Sequence, residues 1–152
     1  MSAEPLKNTL VTLYVNTAVE LTQSNIEDNV LFADSDGDSD ASSCADYTTE
    51  ITKNGNVTWT GAVQDIRTYP KHYVLIQEVT MSEGNQSKVI TSGKPSNNPN
   101  DNITHVNGSV NGNISPDPFS YSITLRVSQI GDDNQRTWNT FTIDPRLKIT
   151  SQ

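Results

Sequence analysis

The sequence predicts an all-β protein, an antiparallel β-sandwich built from about eight to ten short strands. Its apolar residues fall in short alternating runs, which is the spacing of half-buried strands. The runs are separated by clusters of Gly, Pro, Asn and Ser that are typical of turns. The chain has 152 residues, enough for one domain with a sizeable core. We expect residues 1–8 to form a flexible leader and residues 9–152 to form the domain.

The chain is polar and acidic. Hydrophobic residues make up 33% of it and charged residues only 18%, so the low hydropathy and high charge typical of disorder do not occur together. The net charge is −8, and the ten Lys and Arg residues form no basic stripe. Because binding to nucleic acid or to an anionic membrane surface needs clustered cations, we expect neither partner.

Three features of the sequence bear on its cellular compartment: the N-terminal segment, the length of its apolar runs and its cysteine content. It shows no cleavable signal peptide and no apolar run of transmembrane length. Cys44 is the only cysteine, so the chain has no internal disulfide framework. We therefore expect a cytoplasmic protein, or one exported without a cleaved signal.

Two strands are predicted near the start of the chain. The β-branched and aromatic residues of Thr9–Val15 indicate the first, and the apolar run Val30–Ala33 indicates the second. Between them, Thr22–Asn25 has the composition of a turn, and Ser24 with Glu27 predicts a capping box for one short helical turn.

The segment Ile51–Val63 predicts a β-hairpin that also anchors the core. The Asn-Gly dipeptide at positions 54–55 is the strongest hairpin-turn signal in the sequence. After it, Val57, Trp59 and Val63 share one face of a strand. Since Trp59 is one of only two tryptophans, we expect its ring to fill the core.

The middle of the chain predicts one strongly apolar strand followed by a long loop. His72–Met81 is apolar on both sides, which indicates a central rather than an edge strand. A shorter strand is expected at Lys88–Thr91, and Ser92–Asn102 has the composition of a long surface loop. Asn107–Asn113 holds two Asn-Gly pairs, which predict either a small hairpin or a strand with bulges.

The last third has the clearest β pattern. Phe119–Ile130 opens with strict alternation, and Arg136–Ile143 returns after a turn. Because Trp138 falls on one face of the returning strand and Phe141 on the other, we expect a bulge or an exchange of faces there. A short final strand is expected at Leu147–Thr150.

An acidic run is the candidate metal site. Carboxylates at alternate positions can converge on Ca²⁺, which takes about six to eight oxygen ligands. The run departs from the helix–loop–helix calcium motif, because Ser39 stands at the turn glycine and Ala45 at the bidentate glutamate. Two alternatives remain: a looser calcium loop completed by Asp46, Asp28 or a backbone carbonyl, or a solvated acidic loop. The candidate ligands are Asp34, Asp36, Asp38 and Asp40.

No arrangement of catalytic residues is recognisable. His72, His105 and Cys44 are the only sources of imidazole or thiol chemistry, and nothing in their spacing pairs them. Both histidines adjoin loops, so we expect them at the surface. The sequence has no Ser–His–Asp signature, phosphate-binding glycine loop or dinucleotide fingerprint. We therefore expect no enzyme, and no cofactor apart from the calcium alternative.

Carbohydrate is the other ligand that the side chains suggest. Ser92–Asn102 and Asn107–Asn113 carry amides and hydroxyls that can hydrogen-bond to sugars, although the same residues also make ordinary turns. Aromatic side chains could stack on the face of a sugar ring. The candidates for stacking are Tyr69, Tyr73, Tyr121 and Trp138.

Two short segments carry a family resemblance. Gly55-Asn56-Val57-Thr58-Trp59 resembles the G-x-V-x-W strand of cupredoxin-type sandwiches, which implies a cupredoxin-like fold, with an immunoglobulin-like sandwich as the alternative. Residues 114–152 contain no Cys, His or Met, so the copper ligands of that family are missing. In size, and in Val57-Thr58-Trp59 and Asn107–Gly112, the chain is also similar to the bacterial inclusion-body protein family. That second resemblance implies a small β-sandwich that accumulates or assembles, with no established chemistry.

We therefore predict a non-catalytic binding or self-assembly module of a bacterial soluble protein. Strands with few charges can pair between copies, so we expect a homo-oligomer. The alternative function is a lectin-like domain that binds carbohydrate or calcium. It would use the acidic loop at residues 34–46 and the Asn-rich region at residues 92–113.

Overall fold

A computed structural model describes residues 8–34, 42–43, 48–82, 84, 88–91, 105–110 and 118–150. In these ranges the chain forms eleven strands, one of them only two residues long, and one 3₁₀ turn at Ile26–Asn29. In chain order the strands are β1 (Asn8–Val15), β2 (Val30–Asp34), β3 (Ser42–Ser43), β4 (Thr48–Thr52), β5 (Asn56–Val63), β6 (Tyr73–Met81), β7 (Val89–Thr91), β8 (His105–Val110), β9 (Phe119–Ile130), β10 (Arg136–Ile143) and β11 (Arg146–Thr150).

The strands form two sheets that pack face to face, which confirms the predicted β-sandwich. The first sheet has the order β3-β2-β1-β5-β8-β7. The second has the order β10-β9-β11-β4, and β6 also pairs with β9. Both sheets are mixed rather than purely antiparallel, because β1 runs parallel to β5 and β11 runs parallel to β4.

The turn at residues 53–55 connects the two sheets, so the predicted hairpin at Ile51–Val63 is wrong. β4 pairs with β11 in the second sheet, whereas β5 pairs with β1 and β8 in the first. A two-residue hairpin turn of type I′ needs positive φ at both central residues. Here the Gly55 amide donates to the Thr52 carbonyl at 2.8 Å, and of the central residues only Asn54 has positive φ, at 65°. The flanking strands therefore separate instead of pairing.

The core lies between the two sheets, and Trp59 is at its centre as predicted. Its side chain is fully buried, and Val57 and Val63 on the same face of β5 are buried with it. Across the core stands Tyr121 of β9, with ring centroids 5.7 Å apart. Alternate residues of β9 are buried, as the sequence pattern predicted.

β10 follows β9 as a regular antiparallel partner, without the predicted bulge. The pairing continues unbroken from Arg136–Ile130 to Ile143–Ile123. Trp138 does not belong to the core: it lies on the outer face of the second sheet and is 38% exposed. The change of parity that the sequence shows therefore marks an exposed aromatic residue and not an irregular backbone.

β6 pairs with β9 alone among the described strands, so its predicted central position is wrong. Val74, Leu75 and Ile76 are all buried, and their apolar side chains on both sides of the strand are the pattern that predicted a central strand. Burial on the inner side comes from close packing on β5, where Gly61 lies against Val74. The register of β6 shifts between Ile76 and Glu78.

The segment between β1 and β2 covers the edge of β10. The Gln23 side-chain amide donates to the Thr142 carbonyl at 2.6 Å and accepts from the Thr142 amide at 3.0 Å. Glu27 accepts from the Asp144 amide at 3.1 Å. The predicted short helical turn is present, but Asn25 precedes it without a side-chain cap, so the capping box is not formed.

Candidate functional site

The outer face of the first sheet lacks charged side chains along its central strands. β1, β5, β7 and β8 contain no Asp, Glu, Lys or Arg, although the whole chain carries a net charge of −8. In β2 the only charged residue is Asp34, at its end. We call this surface the uncharged face. Its outward-facing residues on β1, β2 and β5 are Asn8, Leu10, Thr12, Tyr14, Leu31, Ala33, Asn56, Thr58, Thr60 and Ala62.

Strand alternation produces this face. Val11, Leu13 and Val15 are buried in the core, so the residues between them point outward. Leu10, just before this run, also points outward, and two of the outward residues are large and apolar: Leu10 is 45% exposed and Tyr14 is 37% exposed. The face therefore combines exposed apolar side chains with threonine hydroxyls on a surface free of charge.

A groove of about 440 Å³ lies at one end of the uncharged face, over β5, β8 and Thr91 of β7. The Thr58 hydroxyl donates to the side-chain oxygen Oδ1 of Asn107 at 2.8 Å. The Ser109 hydroxyl donates to the side-chain oxygen Oδ1 of Asn56 at 3.4 Å, and the side-chain Nδ2 of Asn56 donates to Oδ1 of Asn8 at 3.3 Å. These amides and hydroxyls bind one another across the strands, so the polar groups around the groove are largely paired with each other.

The outer face of the second sheet carries an aromatic–arginine cluster, formed by Tyr73, Arg126, Arg136 and Trp138. The Tyr73 and Trp138 rings are nearly parallel, with a 10° angle between planes and centroids 6.4 Å apart. The Arg126 guanidinium lies over the Trp138 ring at 4.3 Å, and the Arg136 guanidinium lies over Tyr73 at 5.0 Å. Tyr73 is 48% exposed. The cluster therefore presents rings and guanidiniums together to solvent.

His72 is buried, so the prediction that it lies at the surface is wrong. Only 5% of it is exposed, and its Nδ1 lies 2.8 Å from the Thr17 hydroxyl. The imidazole stacks on Tyr69 with ring centroids 4.8 Å apart. It borders an open cleft of about 450 Å³ whose lining also includes Glu20 and Asp132. His105 is exposed at the start of β8, as predicted.

The predicted calcium ligands fall largely outside the described residues. Asp34 is the last residue of β2 and is paired with Val11, whereas Asp36, Asp38 and Asp40 lie outside those ranges, as does Cys44. Within the described ranges no three His, Cys, Asp or Glu side chains are grouped to hold a metal ion. Calcium binding by the loop at residues 34–46 stays a prediction.

The structure separates the predicted sugar-binding residues. Tyr121 is buried in the core, so it cannot stack on a ligand. Tyr69 is half-buried against His72, and only Tyr73 and Trp138 remain as exposed aromatic candidates. Ser92–Asn102 lies outside the described residues. The described part of the Asn-rich segment belongs to β8, which pairs regularly with β5 and β7.

Comparison with known proteins supports the fold assignment. No family model matches the sequence, and no curated protein matches it. The crystal structure of the inclusion body protein PixA from Burkholderia cenocepacia J2315 is similar, with a TM-score of 0.58. The alignment covers 97% of this chain and 98% of that chain at 10% sequence identity. The resemblance to the bacterial inclusion-body protein family is thus confirmed at the level of the fold.

The described segments contain no helix of sufficient length and apolar character to cross a lipid bilayer.

Proposed function

We propose that this protein is a non-catalytic module that self-associates through the uncharged face. The observation that carries the proposal is the absence of charge from β1, β5 and β8 in a chain with a net charge of −8. Removing a charged group from water costs free energy, whereas burying apolar surface stabilises an association by about 25 cal/mol per Å². The exposed Leu10 and Tyr14 side chains supply such apolar surface.

Symmetry favours the uncharged face over the opposite side of the sandwich. In a two-fold dimer the same patch of each copy meets itself, with residue i of one copy against residue j of the other, so each charge on the patch must lose water and find a matching partner. The uncharged face has no such charges to bring together. The outer face of the second sheet, in contrast, carries Glu50, Glu78, Arg126, Arg146 and Lys148.

The structural relative gives independent support. It is named an inclusion body protein, and nearly the full length of both chains aligns. At 10% identity this likeness concerns the fold. A protein that accumulates needs a surface through which copies associate, and the uncharged face is a surface of this kind.

Light scattering coupled to size exclusion tests the proposal. The monomer mass is 16.7 kDa, and we expect the average mass to rise above it with protein concentration. The net charge of −8 makes copies repel, so added salt should strengthen association by screening that repulsion. A constant monomer mass at every concentration and salt level would contradict self-association.

A second candidate function is carbohydrate binding, which the exposed parallel rings of Tyr73 and Trp138 favour. Exposed aromatic rings offer flat apolar surfaces to which a sugar ring can dock while its hydroxyls stay hydrated. A glycan array with and without EDTA tests this function. Binding that persists in EDTA would agree with the aromatic surface, and no binding in either condition would contradict it.

A further inference from the structure

Within the part of the chain that the structure describes, the two arginines of the aromatic–arginine cluster form no ion pair. The chain has 18 Asp and Glu residues, yet neither Arg126 nor Arg136 forms an ion pair within the described residues. Each guanidinium instead lies over an aromatic ring, at 4.3 Å for Arg126 and 5.0 Å for Arg136. Among the described residues both guanidiniums are thus without an ion pair, which leaves them available to an external anion.

Arg136 is held in one orientation by its own hydrogen bonds. Its Nη1 donates to the Lys71 carbonyl at 2.9 Å and to the Ser128 hydroxyl at 2.6 Å. These two bonds use both hydrogens of Nη1. Nε and Nη2 have no hydrogen-bond partner in the part of the chain that the structure describes. Together they form the edge of the guanidinium that matches a carboxylate with two parallel N–H···O bonds.

Strand register brings the parts of the cluster together. Tyr73 on β6 and Trp138 on β10 are both paired with Ser128 on β9, which is fully buried beneath them. Because the Ser128 hydroxyl and the Lys71 carbonyl hold the Arg136 guanidinium, and Trp138 contacts that of Arg126, little freedom of the Arg136 side chain remains to be lost when a ligand binds. The cluster is therefore preorganised for an anion that also carries a flat, partly apolar body.

We propose that the aromatic–arginine cluster binds an acidic sugar, one that carries a carboxylate on its ring. The carboxylate lies on the free Nε–Nη2 edge of Arg136, and the sugar ring stacks on the exposed surface of Tyr73 and Trp138. Arg126 adds a second positive charge beside Trp138. This inference rests on carbohydrate binding, the second candidate function, and specifies the class of sugar.

The exposure of the rings favours a sugar over an acidic peptide. Tyr73 is 48% exposed and Trp138 is 38% exposed, so each side chain keeps accessible surface besides the part that its guanidinium covers. A carboxylate on a peptide side chain would use the guanidinium and leave the rings uncovered. The protein's net charge of −8 repels long polyanions, so a short oligosaccharide is the expected ligand.

Tryptophan fluorescence tests the inference, with trigalacturonic acid as the acidic probe, maltotriose as the neutral probe and triglutamate as the peptide probe. We expect trigalacturonic acid to change the emission of the exposed Trp138 saturably, while the buried Trp59 contributes a constant background. Arg136→Gln should weaken binding by about tenfold or more, since charge-assisted hydrogen bonds are lost. Arg136→Lys should not restore it, because an ammonium lacks the two-pronged edge.

Control variants separate binding from folding. Arg126→Gln removes the second charge without touching the Arg136 hydrogen bonds and should also weaken binding of trigalacturonic acid. Thr140→Ala, an exposed change on the same strand as Trp138, should bind like the unmodified protein. Each variant is compared by its urea midpoint, so that loss of binding in a stable variant is assigned to the site.

Three results would overturn the inference. Equal affinity for maltotriose and trigalacturonic acid would contradict the acidic specificity and leave carbohydrate binding intact. Equal affinity for triglutamate would show that the cluster binds carboxylates without recognising the sugar ring. No binding of either sugar would contradict both the inference and the second candidate function.

Discussion

The indole N–H of Trp59 donates a hydrogen bond of 3.1 Å to the hydroxyl oxygen of Tyr121 across the interior of the sandwich. Trp59 belongs to the first sheet and Tyr121 to the second, and both side chains are buried. The same hydroxyl lies 3.2 Å from the hydroxyl of Thr49 on β4. Each of these buried polar groups thereby has a partner, and the bond fixes how the sheets face each other.

Tyr121→Phe should destabilise the protein by about 1–3 kcal/mol. The substitution keeps the ring but leaves the Trp59 N–H and the Thr49 hydroxyl without this buried partner. Urea unfolding measures the effect as a lower midpoint at an unchanged m-value. In a Trp59→Phe background the same change should cost less, because the indole N–H is already absent. Equal costs in both backgrounds would contradict the assigned bond.

Gly61→Ala should cost about 1–3 kcal/mol through overpacking. An added Cβ would lie 2.5 Å from Cγ1 and 2.8 Å from the carbonyl oxygen of Val74. Combining it with Val74→Ala should recover only part of the loss, since the carbonyl remains. Gly131→Ala is the matched control, because its Cβ would meet only the Asp133 side chain, at 3.1 Å. Full stability of Gly61→Ala would show that β5 and β6 are not closely packed.

Asn54→Ala should lower stability by about 1 kcal/mol, whereas Asn54→Gly should have little effect. The reason is the positive φ of 65°, which Asn and Gly tolerate better than residues with an ordinary Cβ. Thermal unfolding of the two variants measures the difference. Lys53→Ala, in the same turn at negative φ, controls for loss of a side chain. An alanine variant as stable as the glycine variant would refute the turn geometry.

Gln23→Ala should expose the edge of β10 without unfolding the domain. The variant loses both hydrogen bonds to the Thr142 backbone, so the Thr142 amide should exchange with solvent faster. Hydrogen-exchange mass spectrometry or NMR measures this local effect. Ser24→Ala tests a neighbouring side chain that makes no bond to β10 and should leave exchange unchanged. Unaltered exchange in Gln23→Ala would show that the edge is protected by other means.

Local alternation was enough to predict most strands and their buried faces. Thr9–Val15 and Phe119–Ile130 were recognised because side chains of a strand alternate between two faces whatever the strand pairs with. Trp59 was placed in the core for the same reason. These properties depend on neighbours in sequence, which a single sequence displays directly.

Pairing partners could not be predicted, because they depend on residues far apart. The Asn-Gly turn signal at residues 54–55 is the same whether the flanking strands pair with each other or separate into two sheets. The parallel pairing of β1 with β5 leaves no local pattern. The burial of His72 depends on Thr17, which lies 55 positions earlier in the chain.

The candidate surfaces were visible to different degrees. The lack of charge on β1, β5 and β8 can be seen in the sequence once the strands are assigned. The aromatic–arginine cluster cannot, because Tyr73, Arg126 and Trp138 come from three strands whose register is needed to bring them together. Trp138 does leave a sign in the sequence, because it falls on the opposite face from Phe141. That change of parity predicts a backbone irregularity instead of an exposed ring.

Sedimentation equilibrium of two matched lysine variants tests the uncharged face most directly. Leu10→Lys with Tyr14→Lys places two charges on that face, and Thr80→Lys with Thr140→Lys places two on exposed positions of the second sheet. Both variants change the net charge from −8 to −6, so general repulsion between copies falls equally. We predict that only the first variant loses association. Equal association of the two variants would contradict the role of the uncharged face.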